Sequence, residues 1–139
     1  MKIAVAASKF NDIIVDALLK GAMEILGSQN IEPEVFWVPG AFELPLMCDK
    51  LASLQKYDGI IALGCVIRGQ TAHFDFVAGQ CASGLTTVSL KYQLPVIFGV
   101  VTTDTLEQAF DRAGGRLGNR GADAALAVLD MCRVLSDIL

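Results

Sequence analysis

The chain has one histidine, four widely spaced cysteines and no long apolar run among its 139 residues. Each scarcity removes a class of function. No stretch approaches the ~18 consecutive apolar residues of a membrane span, so no membrane contact is expected. The apolar part of the opening segment, residues 1–8, is too short for a signal peptide. No two of Cys48, Cys65, Cys81 and Cys132 form C-x-x-C, which excludes a sequence-local zinc or thioredoxin-type motif and suits reduced thiols in a cytoplasmic protein. One histidine and scattered acids make no metal-ligand cluster. Without a G-x-S-x-G serine, a Ser-His-Asp hydrolase has no setting for its nucleophile. Neither G-x-G-x-x-G nor G-x-x-x-x-G-K-[ST] occurs, so both common nucleotide fingerprints are missing. A basic surplus is missing too: the net charge of -4 argues against a nucleic-acid or anionic-membrane surface.

What is abundant is apolar. Hydrophobic residues make up 53% of the chain and mean hydropathy is +0.51. The length suits one domain over 1–139 with a full core. A domain this small cannot bury all of that apolar surface by itself, so part of it is expected to face other subunits.

The periodicity predicts alternating strands and helices. Strands are expected over 2–7, 34–38, 59–63 and 96–101. Helices are expected over 12–29, 44–54, 75–91 and 106–112, with a closing helix to about 138. Thr102-Thr103-Asp104-Thr105 offers an N-cap for the fourth helix. Residues 114–121, Gly-Gly-Arg-Leu-Gly-Asn-Arg-Gly, read as a glycine-rich loop. The small residues of 75–91, Gly84 among them, suggest a seam between subunits. This alternation predicts an α/β fold: a three-layer α/β/α sandwich on a four-stranded parallel sheet of order 2-1-3-4. Its switch point lies between the first and third strands, and ligands bind at the strand carboxyl ends there.

Three loops meet at that end. The first, Ser8-Lys9-Phe10-Asn11, carries an aromatic among polar residues. Phe10 is either tucked over the core edge, which composition favours, or a stacking platform for a flat ligand. The second, Ala41-Phe42-Glu43, sets a ring beside an acid that could simply cap the next helix. The third follows the strand 59–63 in the stretch GCVIRGQTAHFDF, residues 64–76. Here Arg68-Gly69-Gln70-Thr71 opens a helix whose N–H groups and dipole favour an anion. His73 stands beside it, able to move a proton near neutral pH or merely to start the helix. Arg112, Arg116 and Arg120 recur every four residues; they form either a solvated, flexible basic surface or a phosphate grip.

Taken in order, Ser8–Asn11, Val38–Glu43, Gly64–Phe76, Phe98–Thr102 and Arg112–Gly121 closely resemble the lumazine synthase family over essentially the whole chain. The resemblance implies the condensation of 5-amino-6-(D-ribitylamino)uracil with 3,4-dihydroxy-2-butanone 4-phosphate to 6,7-dimethyl-8-ribityllumazine, without a cofactor. This is the penultimate step of riboflavin biosynthesis. By that resemblance Phe10 stacks on the pyrimidine, and Ala41, Phe42 and Glu43 hold the ribityl side. Cys65, Val66 and Ile67 line the ring pocket, Gln70 and Thr71 present the phosphate site, and His73 transfers protons. Phe98 and Arg112 reach in from a neighbouring subunit, with Arg120 as an aid on the phosphate. The family's fold agrees with the flavodoxin-like order derived above. Its assembly is a homopentamer, twelve of which can form a 60-mer capsid, with riboflavin synthase as a candidate protein partner. The sequence departs from the family pattern at Lys9, Gln70, Arg116 and Arg120, where the family usually has arginine, alanine and two lysines. Many members carry a longer leader that adds a strand to a neighbour's sheet; no such leader is expected here, which leaves pentamer and capsid both open.

The fold alone also admits two binding modules. A flavin or nucleotide carrier of flavodoxin type needs a Ser/Thr/Gly-rich loop after the first strand, and Ser8-Lys9-Phe10-Asn11 is not one. A receiver domain needs paired acids there, and Ala6-Ala7-Ser8 has none.

Overall fold

The computed structural model describes residues 1–70 and 73–138, Gln70 by its backbone alone. Its strands are β1 (Ile3–Ser8), β2 (Glu34–Val38), β3 (Gly59–Ile67) and β4 (Val96–Thr103). They pair in parallel in the order β2-β1-β3-β4. The helices are α1 (Asp12–Ser28), α2 (Leu44–Ser53), α3 (Phe74–Tyr92), the short α4 (Leu106–Asp111) and α5 (Arg120–Ile138). The α/β/α sandwich expected from the alternation is therefore the fold observed. None of the described helices is long and apolar enough to cross a membrane.

The layers follow from the two-residue period of a strand. Ile3, Val5, Ala7, Ile61, Leu63, Cys65 and Ile67 point to one face, against Ile14, Val15, Leu18 and Leu26 of α1 and Ala125 and Val128 of α5. The alternate residues Ala4, Ala6, Ile60, Ala62 and Val66 point to the other, against Leu44, Cys48 and Leu51 of α2 and Cys81, Leu85 and Val88 of α3. β1 and β3 are buried along their whole length. That is why they read as continuous apolar runs rather than as alternating ones.

Two expectations need correction. β3 does not stop at Leu63 but continues through Gly64 to Ile67. Gly64 is not a break: a Cβ there would stand 2.9 Å from Ser8 Oγ and 3.3 Å from Leu44 Cδ1, so the glycine lets strand and helix close up. Cys65, Val66 and Ile67 accordingly belong to the strand and not to a loop.

Residues 114–121 are not one loop either. Ala113–Gly115 (β5) and Gly118–Asn119 (β6) form a small antiparallel hairpin. Asn119 then caps α5, its Oδ1 accepting from the N–H groups of Gly121 (2.8 Å) and Ala122 (3.0 Å) while its Nδ2 donates to the Ala17 carbonyl (3.0 Å). Gly121 lies directly on the Leu18 carbonyl, where no side chain would fit.

Gly84 has a use within the chain as well: a Cβ on it would meet Pro45 at 2.7 Å, so its small size lets α3 pack on α2. The open face of α3 is a different stripe, with Phe76, Gly79, Ser83 and Leu90 exposed.

Candidate functional site

The carboxyl ends of β1, β2 and β3 are stitched together by their own backbones. After β1 the N–H of Lys9 donates to the Val38 carbonyl (2.8 Å) and that of Phe10 to the Pro39 carbonyl (3.2 Å). Asn11 takes the left-handed conformation at the start of α1, with φ of 60°. From there its Nδ2 donates to the Cys65 carbonyl (3.2 Å) at the end of β3. A short asparagine tolerates that conformation and can still bond across to a neighbouring strand.

The cleft left between these ends has a volume of about 130 Å³ and is lined by Phe10, Asn11, Ala41, Phe42, Cys65, Val66, Ile67 and Val77. Phe10 is 53% exposed, so its ring stands in the cleft mouth and is not tucked over the core, the placement composition favoured. Phe42 is 50% exposed. Its ring stacks on that of Phe76, with centroids 6.3 Å apart and planes 15° apart. Glu43 occupies the N-cap position of α2 but makes no capping bond with its side chain. Its carboxylate lies over Gly40, where a Cβ would come within 3.2 Å of Oε1. Simple capping therefore does not account for this acid. Burial pushes the Cys65 thiol up to about 12, which makes it a neutral, apolar wall and no nucleophile.

Below this cleft the chain leaves β3 in a 3-10 turn, Arg68–Gln70, and enters α3 through His73. His73 is exposed and holds the N-cap position without a capping bond from its side chain. Its carbonyl accepts from the N–H of Val77 (2.9 Å), one of the cleft residues. Thr71 lies outside the described residues, and so does the side chain of Gln70. Arg68, in the same stretch, is fully engaged. Its Nε donates to Asp104 Oδ1 (2.9 Å) and its Nη2 to Asp75 Oδ1 (3.2 Å). Its guanidinium carbon lies 4.4 Å from the centroid of the Phe74 ring. The hydrogen bonds it donates to Asp104 and Asp75 hold its pKa above the ordinary arginine range.

Phe98 and Arg112 are not brought to this cleft. Phe98 lies in the middle of β4, opposite Ala62, and is 43% exposed at the sheet edge. Arg112 follows α4 and donates from Nη1 to the Gln108 carbonyl (2.9 Å). Arg116 pairs with Asp111 (3.4 Å) and Arg120 with Asp123 (3.1 Å), and the Arg120 N–H donates to the Arg112 carbonyl (2.9 Å). Asn11, Val77 and Phe76 are site or near-site residues that spacing did not single out. Asn11 and Phe76 stand in the quoted motifs, and Val77 lies four residues beyond His73.

A larger cavity of about 600 Å³ opens at the other end of the sheet, among Met1, Tyr57, Asp58, Pro95, Cys132 and Ile138. Tyr57 and Asp58 precede β3 and Pro95 precedes β4, so this cavity faces away from His73 and the three stitched loops. The residues expected at the site line the smaller cleft. At about 130 Å³ it is below the ~300–1,000 Å³ of pockets that enclose a small molecule.

The profile of the family described as 6,7-dimethyl-8-ribityllumazine synthase matches residues 1–136. The chain is 54% identical to a protein of that name from Edwardsiella ictaluri, over 99% of this chain and 90% of the relative. It is 51% identical to one from Sodalis glossinidius and 47% identical to one from Leuconostoc mesenteroides, with the same coverage in each case.

Proposed function

The chain belongs to the 6,7-dimethyl-8-ribityllumazine synthase family, and from that premise we propose how its residues divide the work of the reaction. The enzyme is a transferase of riboflavin biosynthesis. It joins 5-amino-6-(D-ribitylamino)uracil to 3,4-dihydroxy-2-butanone 4-phosphate and releases 6,7-dimethyl-8-ribityllumazine, phosphate and water. The observation that carries the proposal is the convergence of Phe10, Phe42 and the end of β3 on one cleft beside the turn that holds His73.

In this reading the pyrimidine stacks on Phe10 and rests against Cys65, Val66 and Ile67. The ribityl chain runs past Ala41 and Phe42, and the Glu43 carboxylate accepts from its hydroxyls. The backbone at Gln70 and Thr71, leading into α3, takes the phosphate. His73 moves protons as the aryl amine attacks the ketone, water and phosphate depart, and the ring closes. Holding both substrates in one cleft supplies much of the remaining acceleration.

Phe98 and Arg112 serve a neighbouring copy, Phe98 as a wall and Arg112 on the phosphate, with Arg120 beside it. Two observations support an oligomer. The cleft is too small to enclose both substrates, and the open face of α3 exposes Phe76 (63%) and Leu90 (67%). The assembly proposed is a homopentamer, alone or as twelve in a 60-mer shell, with riboflavin synthase as a protein partner. All four cysteines are free thiols, which supports a cytoplasmic setting.

The test is direct. The purified protein, mixed with the two substrates, produces the absorbance and fluorescence of the lumazine. A yellow protein inert toward both substrates would be a flavin carrier instead.

A further inference from the structure

Arg68 has no role in the reaction as described so far, yet it is among the most heavily engaged polar side chains of the protein. Its fork is divided between two carboxylates on different elements, Asp75 in the first turn of α3 and Asp104 just after β4. Its flat face lies on the Phe74 ring. These contacts join the two ends of the short segment that separates β3 from α3, the segment that ends in His73. They also tie both ends to Asp104, whose N–H donates to Gln108 Oε1 (2.9 Å) within the capping box of α4.

Two physical points decide what this arrangement is for. All three partners are solvent-exposed, with 53% of the Arg68, 81% of the Asp75 and 68% of the Asp104 side chain accessible. Ion pairs so exposed add little to global stability. What they can do is restrict a local conformation, since a planar guanidinium held at its edge and face has one orientation. The second point is charge. One guanidinium between two carboxylates leaves the cluster net negative, and with its edges and face occupied it has no open fork for a phosphate.

We propose that Arg68 is a positioning residue: clasping Asp75 and Asp104 across the Phe74 ring, it fixes the first turn of α3, at whose start His73 stands. The inference rests on the reading of the cleft given above. It assigns the substrate phosphate to groups other than Arg68, and gives Arg68 the task of holding the start of α3 still. A displacement of about 1 Å at such a site costs on the order of 10²-fold in rate, so partial loosening is expected to register clearly in kinetics.

The experiment compares Arg68→Ala, Arg68→Lys and Asp104→Asn with the unaltered enzyme, measuring kcat, KM for each substrate and Tm. Arg68→Ala is expected to lower kcat about tenfold and raise KM for the phosphorylated substrate about tenfold, since a loosened clasp misplaces the start of α3. KM for the pyrimidine stays within about twofold and Tm nearly unchanged, because the lost pairs are exposed. Lysine restores little, having neither fork nor flat face. Asp104→Asn decides between clasp and ligand. Loosening the clasp raises KM for the phosphorylated substrate, whereas freeing a phosphate-binding arginine lowers it, and a lowered KM overturns the proposal. Unaltered kinetics in both Arg68→Ala and Asp104→Asn also overturns it. Should Arg68→Ala fail to fold, Asp104→Asn, which removes one contact only, carries the test. If the unaltered enzyme makes no lumazine, the reading of the cleft falls and this inference with it. If it is active and the variants match it, only the inference falls.

Discussion

The ring of Phe42 lies against that of Phe76, centroids 6.3 Å apart and planes tilted by 15°, so an aromatic of α3 backs one that lines the cleft. Such a stack is worth about 0.5–1.5 kcal/mol beyond its buried area. Phe76→Ala is therefore expected to raise KM for the ribitylaminouracil by about two- to tenfold, through a Phe42 ring that is no longer held. Tyrosine at position 76 restores the stack. Native mass measurement on each variant separates this effect from any loss of assembly. Equal KM values in Phe76→Ala and the unaltered enzyme end the argument.

His73 stands at the start of α3 with its side chain outside the capping role and outside the core. Replacing it by asparagine is expected to lower kcat by ~10²-fold, the usual worth of a general acid–base group. Thermal unfolding should barely change. An unchanged kcat removes His73 from the proton-transfer steps.

Arg112 does not line the cleft of its own chain, and its Nη1 donates to the Gln108 carbonyl. If it grips the phosphate bound by a neighbour, Arg112→Ala weakens binding of the phosphorylated substrate by about 1.5–3 kcal/mol, the worth of a hydrogen bond to a charged group. The pyrimidine, which carries no phosphate, binds as before. Mixing inactive His73→Asn and Arg112→Ala subunits under exchange should regenerate activity at interfaces that hold both groups. Exchange without recovered activity would confine Arg112 to its own chain.

Burial pushes the Cys48 and Cys65 thiols from 9.0 up to about 12 and Cys81 up to about 11. Well below pH 9, near neutrality, these thiols keep their protons in both folded and unfolded chains, and they impose no slope on stability. Above it the unfolded chain sheds protons that the folded one retains, so stability falls as pH rises toward 11–12. Denaturant midpoints between pH 8 and 10.5 should drop, and less steeply in Cys48→Ala once its lower starting stability is subtracted. In the folded protein, Cys132 is the thiol expected to react first with an alkylating reagent, being only half-buried.

The fold was legible because each of its layers has a period that sequence shows. Strands buried on both faces give unbroken apolar runs, and α1 repeats its apolar residues at helical spacing. Where reading failed, glycine was the cause. Gly64 looks like punctuation, yet it sits inside β3 because Ser8 and Leu44 need the space a side chain would take. Gly84 reads as an interface residue from its size alone, yet within the chain Pro45 also requires that size. One chain's pattern records that a residue is small, not which neighbour requires it. The site divides along the same line. Phe42, Glu43 and His73 stood out as residue types in unusual places. The cross-strand bond of Asn11, the Phe42–Phe76 stack and the double pairing of Arg68 depend on distances between segments far apart in sequence or on side-chain direction, and no spacing rule reports them.

Gly121 seated on the Leu18 carbonyl, with Asn119 bonded to Ala17 beside it, leaves α1 and α5 no clearance to slide. The opposite layer is built differently: α2 enters through an exposed ring at Phe42, α3 through an exposed histidine, and one flank of α3 is open. If the protein yields as the two substrates change shape, the α1–α5 contact gives it the least room to do so, and the yielding is expected at the exposed entries to α2 and α3.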